Sequence, residues 1–176
     1  VIGAGTAGLS AYRNAKQFTP NVLMIESGPY GTTCARVGCM PSKLLIAAAE
    51  AAHAIEMAPA FGVHSSKPVI DGKAVMSRVK SERDRFAGFV VEAVDELPDE
   101  DKIKGYAKFL DANRVQIDDH TIITAKRFVI ATGSRPSYPG VFNNFGDKLI
   151  INDDVFNWND LPESVAVFGP GVIGLE

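Results

Sequence analysis

The sequence predicts an α/β protein in which a parallel sheet is flanked by helices and followed by an antiparallel β-meander. Three observations support this fold class. A glycine-rich turn at residues 3–8 separates a short apolar strand from a helix. Short alternating apolar runs, typical of meander strands, follow residue 103. A second glycine-rich turn at residues 169–174 repeats the first, which predicts that a second unit of the same kind begins near residue 164.

Hydrophobic periodicity predicts the individual elements. Strand, turn, helix and strand form a βαβ unit at the start of the chain. Two long helices follow, the second with apolar residues at helical spacing. The predicted elements are a strand ending at Ile2, a helix over 9–17, a strand over 22–25, helices over 39–57 and 73–97, strands over 106–110, 114–117 and 121–124, a buried strand over 128–131, and a strand over 165–168.

Composition limits the classes of function. The chain has 176 residues, of which 46% are hydrophobic and 22% charged, as in ordinary globular proteins. Its net charge of −3 provides no basic surface for nucleic acid or for an anionic membrane. No apolar run approaches the roughly 20 residues of a membrane span. We therefore expect a soluble, cytoplasmic protein with small-molecule or protein partners, and a truncated N-terminus because Val1 replaces an initiator methionine.

The first glycine turn has the spacing of a dinucleotide site. Gly3 permits a tight bend, Gly5 lets the backbone approach a pyrophosphate, and Gly8 allows close packing of helix against strand. The following helix N-terminus would attract the phosphates. Glu26 lies where an acid accepts hydrogen bonds from ribose hydroxyls, and its charge favours FAD or NAD over NADP. The alternative is a glycine turn that serves packing alone.

The only two cysteines of the chain, Cys34 and Cys39, follow this site closely. A close pair beside a dinucleotide site predicts a redox function, and a thiol at a helix N-terminus has a lowered pKa. An ideal helix would advance about 7.5 Å between them, further than a disulfide usually spans, so a disulfide requires a distorted entry to the helix, which Gly38 makes easier. The alternatives are two buried free thiols or half of a zinc site, but the histidines lack ligand spacing.

The run Gly31–Lys43, with the sequence GTTCARVGCMPSK, resembles the active-site signature of the pyridine nucleotide-disulfide oxidoreductases. This flavoprotein family includes dihydrolipoamide dehydrogenase, glutathione reductase and mercuric reductase. The resemblance extends from the first glycine turn to Glu176. It implies a Rossmann-like FAD-binding domain over residues 1–150, a connector over 151–163, and the start of a Rossmann-like NAD(P)-binding domain over 164–176.

The resemblance also implies residue roles. Cys34 would exchange with the substrate, Cys39 would face the flavin, and Lys43 would approach flavin N5 and pair with Glu176. The residues implied to bind FAD are Gly3, Gly5, Thr6, Ala7, Gly8, Glu26, Ser27, Gly31, Thr32, Thr33, Cys34, Cys39, Lys43, Ala107, Ala131, Thr132, Gly133 and Ser134. Those implied to bind NAD are Gly169, Gly171, Val172, Ile173, Gly174 and Glu176. No metal site is implied.

The serine in Pro41-Ser42-Lys43 is more similar to dihydrolipoamide dehydrogenase and mercuric reductase than to glutathione reductase. No metal-capturing leader domain or terminal cysteine pair is visible, so dihydrolipoamide is the expected substrate, with NAD (or NADP) as acceptor. The alternatives are a related disulfide or mercuric reductase, and a non-catalytic redox-sensing or interaction module. Two departures from the signature, Thr32 for a usual glycine and Ala35-Arg36 for an apolar residue and asparagine, leave the local phosphate contacts open.

The family resemblance implies a homodimer in which a histidine from the other subunit acts as base. No histidine of this chain matches it, and the NAD domain is only begun. We therefore expect that the chain as given does not complete turnover. The three histidines are His53, His64 and His120.

Overall fold

A computed structural model describes all 176 residues and has the predicted α/β class. The chain forms two compact units, one from Val1–Thr33 and Ala87–Arg135, the other from Cys34–Phe86 and Pro136–Glu176. In chain order the elements are α1 (Thr6–Lys16), β1 (Met24–Glu26), α2 (Thr33–Val37), α3 (Cys39–Met57), α4 (Gly72–Asp95), β2 (Lys102–Lys104), β3 (Ala107–Phe109), β4 (Arg114–Ile117), β5 (Thr121–Thr124), α5 (Asn152–Val155) and α6 (Val172–Leu175). Short 3₁₀ helices span Ala58–Phe61, Asp99–Asp101 and Gly140–Lys148. The predicted domain boundaries stay a prediction.

The first unit contains both sheets. β1 pairs with β2 in parallel, and Ile2 forms parallel bridges to Ile25 and to Ile130. β3, β4 and β5 form the predicted antiparallel meander. The parallel pairing of β1 with β2 was not predicted, because a three-residue strand has too few positions to show a period.

Two apolar clusters hold the first unit together. One joins α1 to β1 and the end of α4 through Leu9, Met24 and Val94. The other joins the parallel strands to the meander through Ile25, Val115 and other buried side chains. Full burial of an aliphatic side chain contributes about 1.5–3 kcal/mol. The glycine turn between Ile2 and α1 is therefore positioned by packed structure on both sides.

The second unit is helical. α2 and α3 pack through Val37, Leu44 and Leu45 against Met76 and Val79 of α4, in a cluster that also contains Phe156 and Trp158. The Arg83 guanidinium donates to the Phe156 carbonyl and the Asn157 side chain, so α4 also holds the segment that follows α5.

Two predicted strands are absent. Residues 128–131 were expected to form a buried strand, but they contribute only the Ile130 bridge, and Ile130 is 67% exposed. Ile130 lies at the edge of the parallel pairing, where nothing in its unit covers the outer side. Residues 165–168 are also exposed and form no strand, because the second unit offers them no backbone ladder to join.

One helical segment is more apolar than we expected from the sequence. Thr33–Phe61, which includes α2 and α3, meets the length and composition of a membrane span, with a mean hydropathy of 1.3 over 18 residues. The expectation that no segment has the length and composition of a membrane span is therefore wrong. The core helix of a soluble protein meets the same criteria.

Candidate functional site

The first glycine turn has the geometry that its spacing predicts. Gly3 adopts φ +106°, and a Cβ there would collide with the Ala131 carbonyl. A Cβ at Gly8 would collide with the Gly3 carbonyl, so both positions exclude a side chain. Gly5, by contrast, has no atom within 4 Å of the position that a Cβ would take. The turn therefore packs through two glycines and leaves open space at the third.

The N-terminus of α1 is open to a ligand. α1 begins at Thr6, directly after extended Gly5, and Thr6 and Ala7 are exposed. The first backbone N–H groups of a helix have no partner within it, and together with the helix dipole they attract anions. This helix start can therefore receive a pyrophosphate.

Glu26 lies at the end of β1 and is tied to the turn. Its Oε2 accepts the backbone N–H of Ala4 at 2.7 Å, and its Oε1 accepts that of Gly28 at 2.7 Å. The carboxylate thus stands beside the glycine turn, in the position expected of a group that binds ribose hydroxyls.

Lys104 and Tyr30 also lie near Glu26, and neither was predicted as a site residue from the sequence. Lys104 pairs with Glu26 across the parallel strands. Its ammonium lies 3.9 Å from the centroid of the Tyr30 ring and donates to the Gly28 carbonyl. Burial, followed by the charges of Glu26 and Asp95, raises the pKa of Tyr30. Lys104 could have been predicted from the sequence if β2 had been identified as the strand beside β1.

The other predicted FAD contacts of the first unit fall into two groups. Ala131 and Thr132 lie against the turn, since Ala131 donates to the Ile2 carbonyl at 2.8 Å. Ser27 is exposed after β1, Ala107 pairs with Ile117 in the meander, and Gly133 and Ser134 are exposed after the edge segment. None of these last four residues is hydrogen-bonded to the turn.

Backbone conformation explains why glycine is usual at position 32, where this chain departs from the family signature. Thr32 adopts φ +58°, directly after Gly31 at φ +110°. A β-branched residue in this region is an outlier, whereas glycine adopts it without cost. The glycine usual at position 32 is therefore the residue that this backbone favours, and Thr32 holds the same conformation under strain.

The two cysteines lie on different helices. Cys34 is in α2, which ends at Val37, and Cys39 is the first residue of α3. Gly38 separates them with φ −132° and ψ −122°, outside the main regions for residues with a side chain. The predicted distortion at Gly38 is thus present. Both cysteines are free thiols in this structure, and the Cys39 thiol lies close enough to Cys34 to affect the pKa of its thiol.

The pKa of Cys34 differs from the expectation of a lowered value. Burial raises the pKa most, and the Cys39 thiol raises it further. The backbone N–H groups of Cys39 and Met40, at the start of α3, lower it but do not compensate. The helix N-terminus therefore acts on Cys34 as expected, while burial in a dithiol pair outweighs it.

Lys43, Ser42 and Glu176 come together in the second unit. Lys43 forms an ion pair with Glu176 Oε1, to which the Ser42 hydroxyl also donates at 2.8 Å. Lys43 first and Ser42 second lower the pKa of the Glu176 carboxyl. The contact between Lys43 and Glu176, which the sequence implied only through the family, is present in the structure.

The second glycine turn repeats the geometry of the first. Gly169 adopts φ +119°, and a Cβ at Gly174 would collide with its carbonyl. Gly171 is extended and has no atom within 4 Å of its Cβ position, as at Gly5. Val172 and Ile173 begin α6 and are exposed. This turn has the shape of a second dinucleotide site even though no strand precedes it.

FAD fits the residues of the first unit. The open space at Gly5, the start of α1 and the carboxylate of Glu26 match a pyrophosphate followed by a ribose.

All three histidines are exposed. His120 contacts Thr121 of β5 and Asp118, which follows β4.

A model of the family "Pyridine nucleotide-disulphide oxidoreductase" matches residues 1–176. A mercuric reductase of Bacillus cereus is 34% identical over 179 residues, covering 100% of this chain and 28% of the relative. A dihydrolipoyl dehydrogenase of Chlamydia pneumoniae is 34% identical over 182 residues, covering 100% of this chain and 38% of the relative. The chain thus spans about a third of the length of these relatives.

A solved structure has the same fold. The HOCl-induced flavoprotein disulfide reductase RclA from Escherichia coli superposes with a TM-score of 0.79 at 21% sequence identity, covering 99% of this chain and 37% of that one. At this identity the similarity concerns the fold.

Proposed function

Because this chain belongs to the pyridine nucleotide-disulphide oxidoreductase family, we propose that the whole protein is a dihydrolipoamide dehydrogenase that uses FAD and passes electrons to NAD⁺. The observation that carries the proposal is the contact between the Cys34 and Cys39 thiols at the start of α3. A dithiol in contact can close to a disulfide and reopen, which is the chemistry of electron exchange with a dithiol substrate. A cytoplasmic location and a homodimer belong to the same proposal.

The cycle begins with the pair oxidised. A substrate thiolate attacks Cys34 Sγ, the Cys34–Cys39 bond breaks, and Cys39 leaves as a thiolate. The second substrate thiolate attacks the substrate sulfur in the mixed disulfide, which releases the oxidised substrate and the Cys34 thiolate. Two electrons have then entered the cysteine pair, and the two protons of the substrate thiols have passed to a base.

The chain's own backbone supports the thiolate that exchanges with the substrate. The backbone N–H groups of Cys39 and Met40 stabilise a thiolate on Cys34, which is the direction of their effect on its pKa. When bound, FAD would accept the two electrons from the pair and supply the hydride for NAD⁺. The Lys43 ammonium, which pairs with Glu176, would supply a positive charge beside the bound flavin.

Mercuric ion reduction is the second candidate. Relatives named mercuric reductase, from Lysinibacillus sphaericus and Bacillus cereus, are 32% and 34% identical to the chain, as similar as the relative from Chlamydia pneumoniae at 34%. In that reaction NADPH would reduce the cysteine pair, and the thiolates would bind Hg²⁺ and deliver two electrons to it.

Steady-state kinetics of the full-length protein distinguish the candidates. We expect turnover with dihydrolipoamide and NAD⁺, and a far lower kcat/KM with glutathione disulfide or Hg²⁺ in the presence of NADPH. Cys34→Ser should abolish thiol-dependent reduction of the flavin. A higher kcat/KM with Hg²⁺ would replace the first candidate by the second. Absence of flavin reduction by any thiol and by NADPH would contradict both and favour a non-catalytic redox module.

A further inference from the structure

The Ser42 hydroxyl lies between two acceptors. Its Oγ is 2.8 Å from Oε1 of Glu176 and 3.0 Å from the Cys39 carbonyl oxygen. A hydroxyl carries one proton, so it donates to one of these oxygens at a time. The ammonium of Lys43 donates to the same Oε1.

Charge decides between the two acceptors. A carboxylate is a stronger acceptor than a neutral carbonyl. The Cys39 carbonyl, in the first turn of α3, also lies where the backbone N–H four residues later can bond to it. The Ser42 proton therefore gains more from Glu176, and the lowered pKa of the Glu176 carboxyl has Ser42 as its second cause.

We propose that Ser42 is a positioning residue that holds the Glu176 carboxylate in place for Lys43. The Lys43 side chain is 67% exposed, whereas that of Glu176 is 25% exposed. A carboxylate held by the lysine alone could rotate with it, but the short Ser42 side chain on α3 attaches Oε1 to the helix that begins at Cys39. This role goes beyond the proposed function, because it concerns the orientation of the ion pair and not the identity of the substrate.

A purely structural role for Ser42 is the competing explanation. Serine in a helix often donates to the carbonyl three or four residues earlier. In that role the hydroxyl would donate to the Cys39 carbonyl, and its removal would have no effect on Glu176. The two roles therefore differ in whether the titration of Glu176 and its contact with Lys43 depend on the hydroxyl.

The test uses the full-length protein with its cofactor and two readouts other than turnover. Zero-length carbodiimide cross-linking, quantified by mass spectrometry, reports the contact between Lys43 and Glu176. Carbodiimide coupling of a soluble amine to Glu176, followed against pH, reports the midpoint of its titration. The variants are Ser42→Ala, the matched pair Ser42→Thr and Ser42→Val, and Ser77→Ala as an exposed helical control.

We expect Ser42→Ala and Ser42→Val to lower the cross-link yield about two- to five-fold, the range that corresponds to an exposed ion pair. The midpoint of Glu176 should rise in both, while Ser42→Thr and Ser77→Ala match the wild type. Unchanged yield and midpoint in Ser42→Val, the variant closest in shape to Ser42→Thr, would overturn the proposal. Because neither readout requires substrate, failure of the proposed function would appear separately, as absent turnover with an intact cross-link.

Discussion

The carboxylate of Glu26 accepts the backbone N–H of Ala4 at 2.7 Å. Its other oxygen accepts the N–H of Gly28, so one acidic side chain joins the glycine turn to the loop after β1. The group expected to bind the ribose therefore also fixes the shape of the turn that would bind the pyrophosphate.

Glu26→Gln should weaken both the structure of the turn and the binding of FAD. The amide has one oxygen, and its NH₂ group would face the N–H of Ala4 or of Gly28. We expect a loss of about 1–3 kcal/mol in the free energy of unfolding, the cost of an unsatisfied buried donor. Urea denaturation measures this loss and titration with FAD measures affinity. Glu92→Gln, at an exposed position of α4, is the control and should change neither.

Gly5→Ala and Gly8→Ala should separate cofactor binding from stability. A Cβ at Gly8 would meet the backbone of Gly3, which cannot move aside, so we expect a loss of about 1–3 kcal/mol in stability. A Cβ at Gly5 meets nothing, so stability should be retained while FAD affinity falls. Thermal unfolding and flavin binding measure the two effects. Equal flavin affinity in wild type and Gly5→Ala would mean that the pyrophosphate lies elsewhere.

Binding of FAD should reverse the order in which an alkylating reagent modifies the two thiols. Cys39 is exposed in the structure, whereas Cys34 is half-buried and burial raises the pKa of its thiol. Iodoacetamide should therefore modify Cys39 first at neutral pH. If Cys39 faces the flavin, bound FAD should slow its reaction and leave Cys34 the faster thiol. Mass spectrometry of the alkylated peptides measures both rates, and an order unaffected by FAD would contradict the assigned roles.

Tyr12 should make stability sensitive to alkaline pH. Burial, followed by its hydrogen bond to Asp101 at 2.6 Å, raises the pKa of Tyr12 from 10.0 to about 12. A raised pKa means that the contribution to stability is present below pH 10 and lost as pH rises to about 12. Urea unfolding of wild-type protein should therefore lose about 2–3 kcal/mol over this range.

Tyr12→Phe lacks the titrating hydroxyl, so its alkaline loss should be smaller by that amount. At neutral pH it should be less stable by about 1–3 kcal/mol, because Asp101 keeps only Lys16 as its side-chain partner. Tyr138→Phe, at an exposed tyrosine, is the matched control. Identical alkaline profiles for wild type and Tyr12→Phe would assign the loss to another group.

Thr32→Gly should stabilise the protein by up to about 1 kcal/mol. The left-handed conformation of Thr32 costs about 1–2 kcal/mol, more than the roughly 0.5–1 kcal/mol of chain entropy that glycine adds to the unfolded state. Thr32→Ala keeps the Cβ and loses only the hydroxyl and methyl groups, so it isolates their contacts. Chemical denaturation compares the three proteins, and a less stable glycine variant would mean that those contacts outweigh the strain.

Local patterns in the sequence were sufficient for features that depend on a few consecutive residues. The glycine spacing predicted the two turns, because only glycine permits the bend at Gly3 and the close approach at Gly8. The alanine-rich run after Cys39 predicted α3, and helical periodicity predicted both ends of α4 to within two residues. The cysteine spacing predicted that a bridge would require a distorted entry to the helix, and Gly38 has that distortion.

Residues far apart in sequence came together only in the folded chain. β2 is too short to show a period, so its pairing with β1 and the placement of Lys104 beside Glu26 depended on the sheet. The raised pKa of Cys34 depended on burial, which no local pattern specifies. The sequence alone determined which residues can bend the chain, bind a nucleotide or exchange electrons. The tertiary structure decided which of them meet and how far each is shielded from water, because both depend on contacts between distant segments.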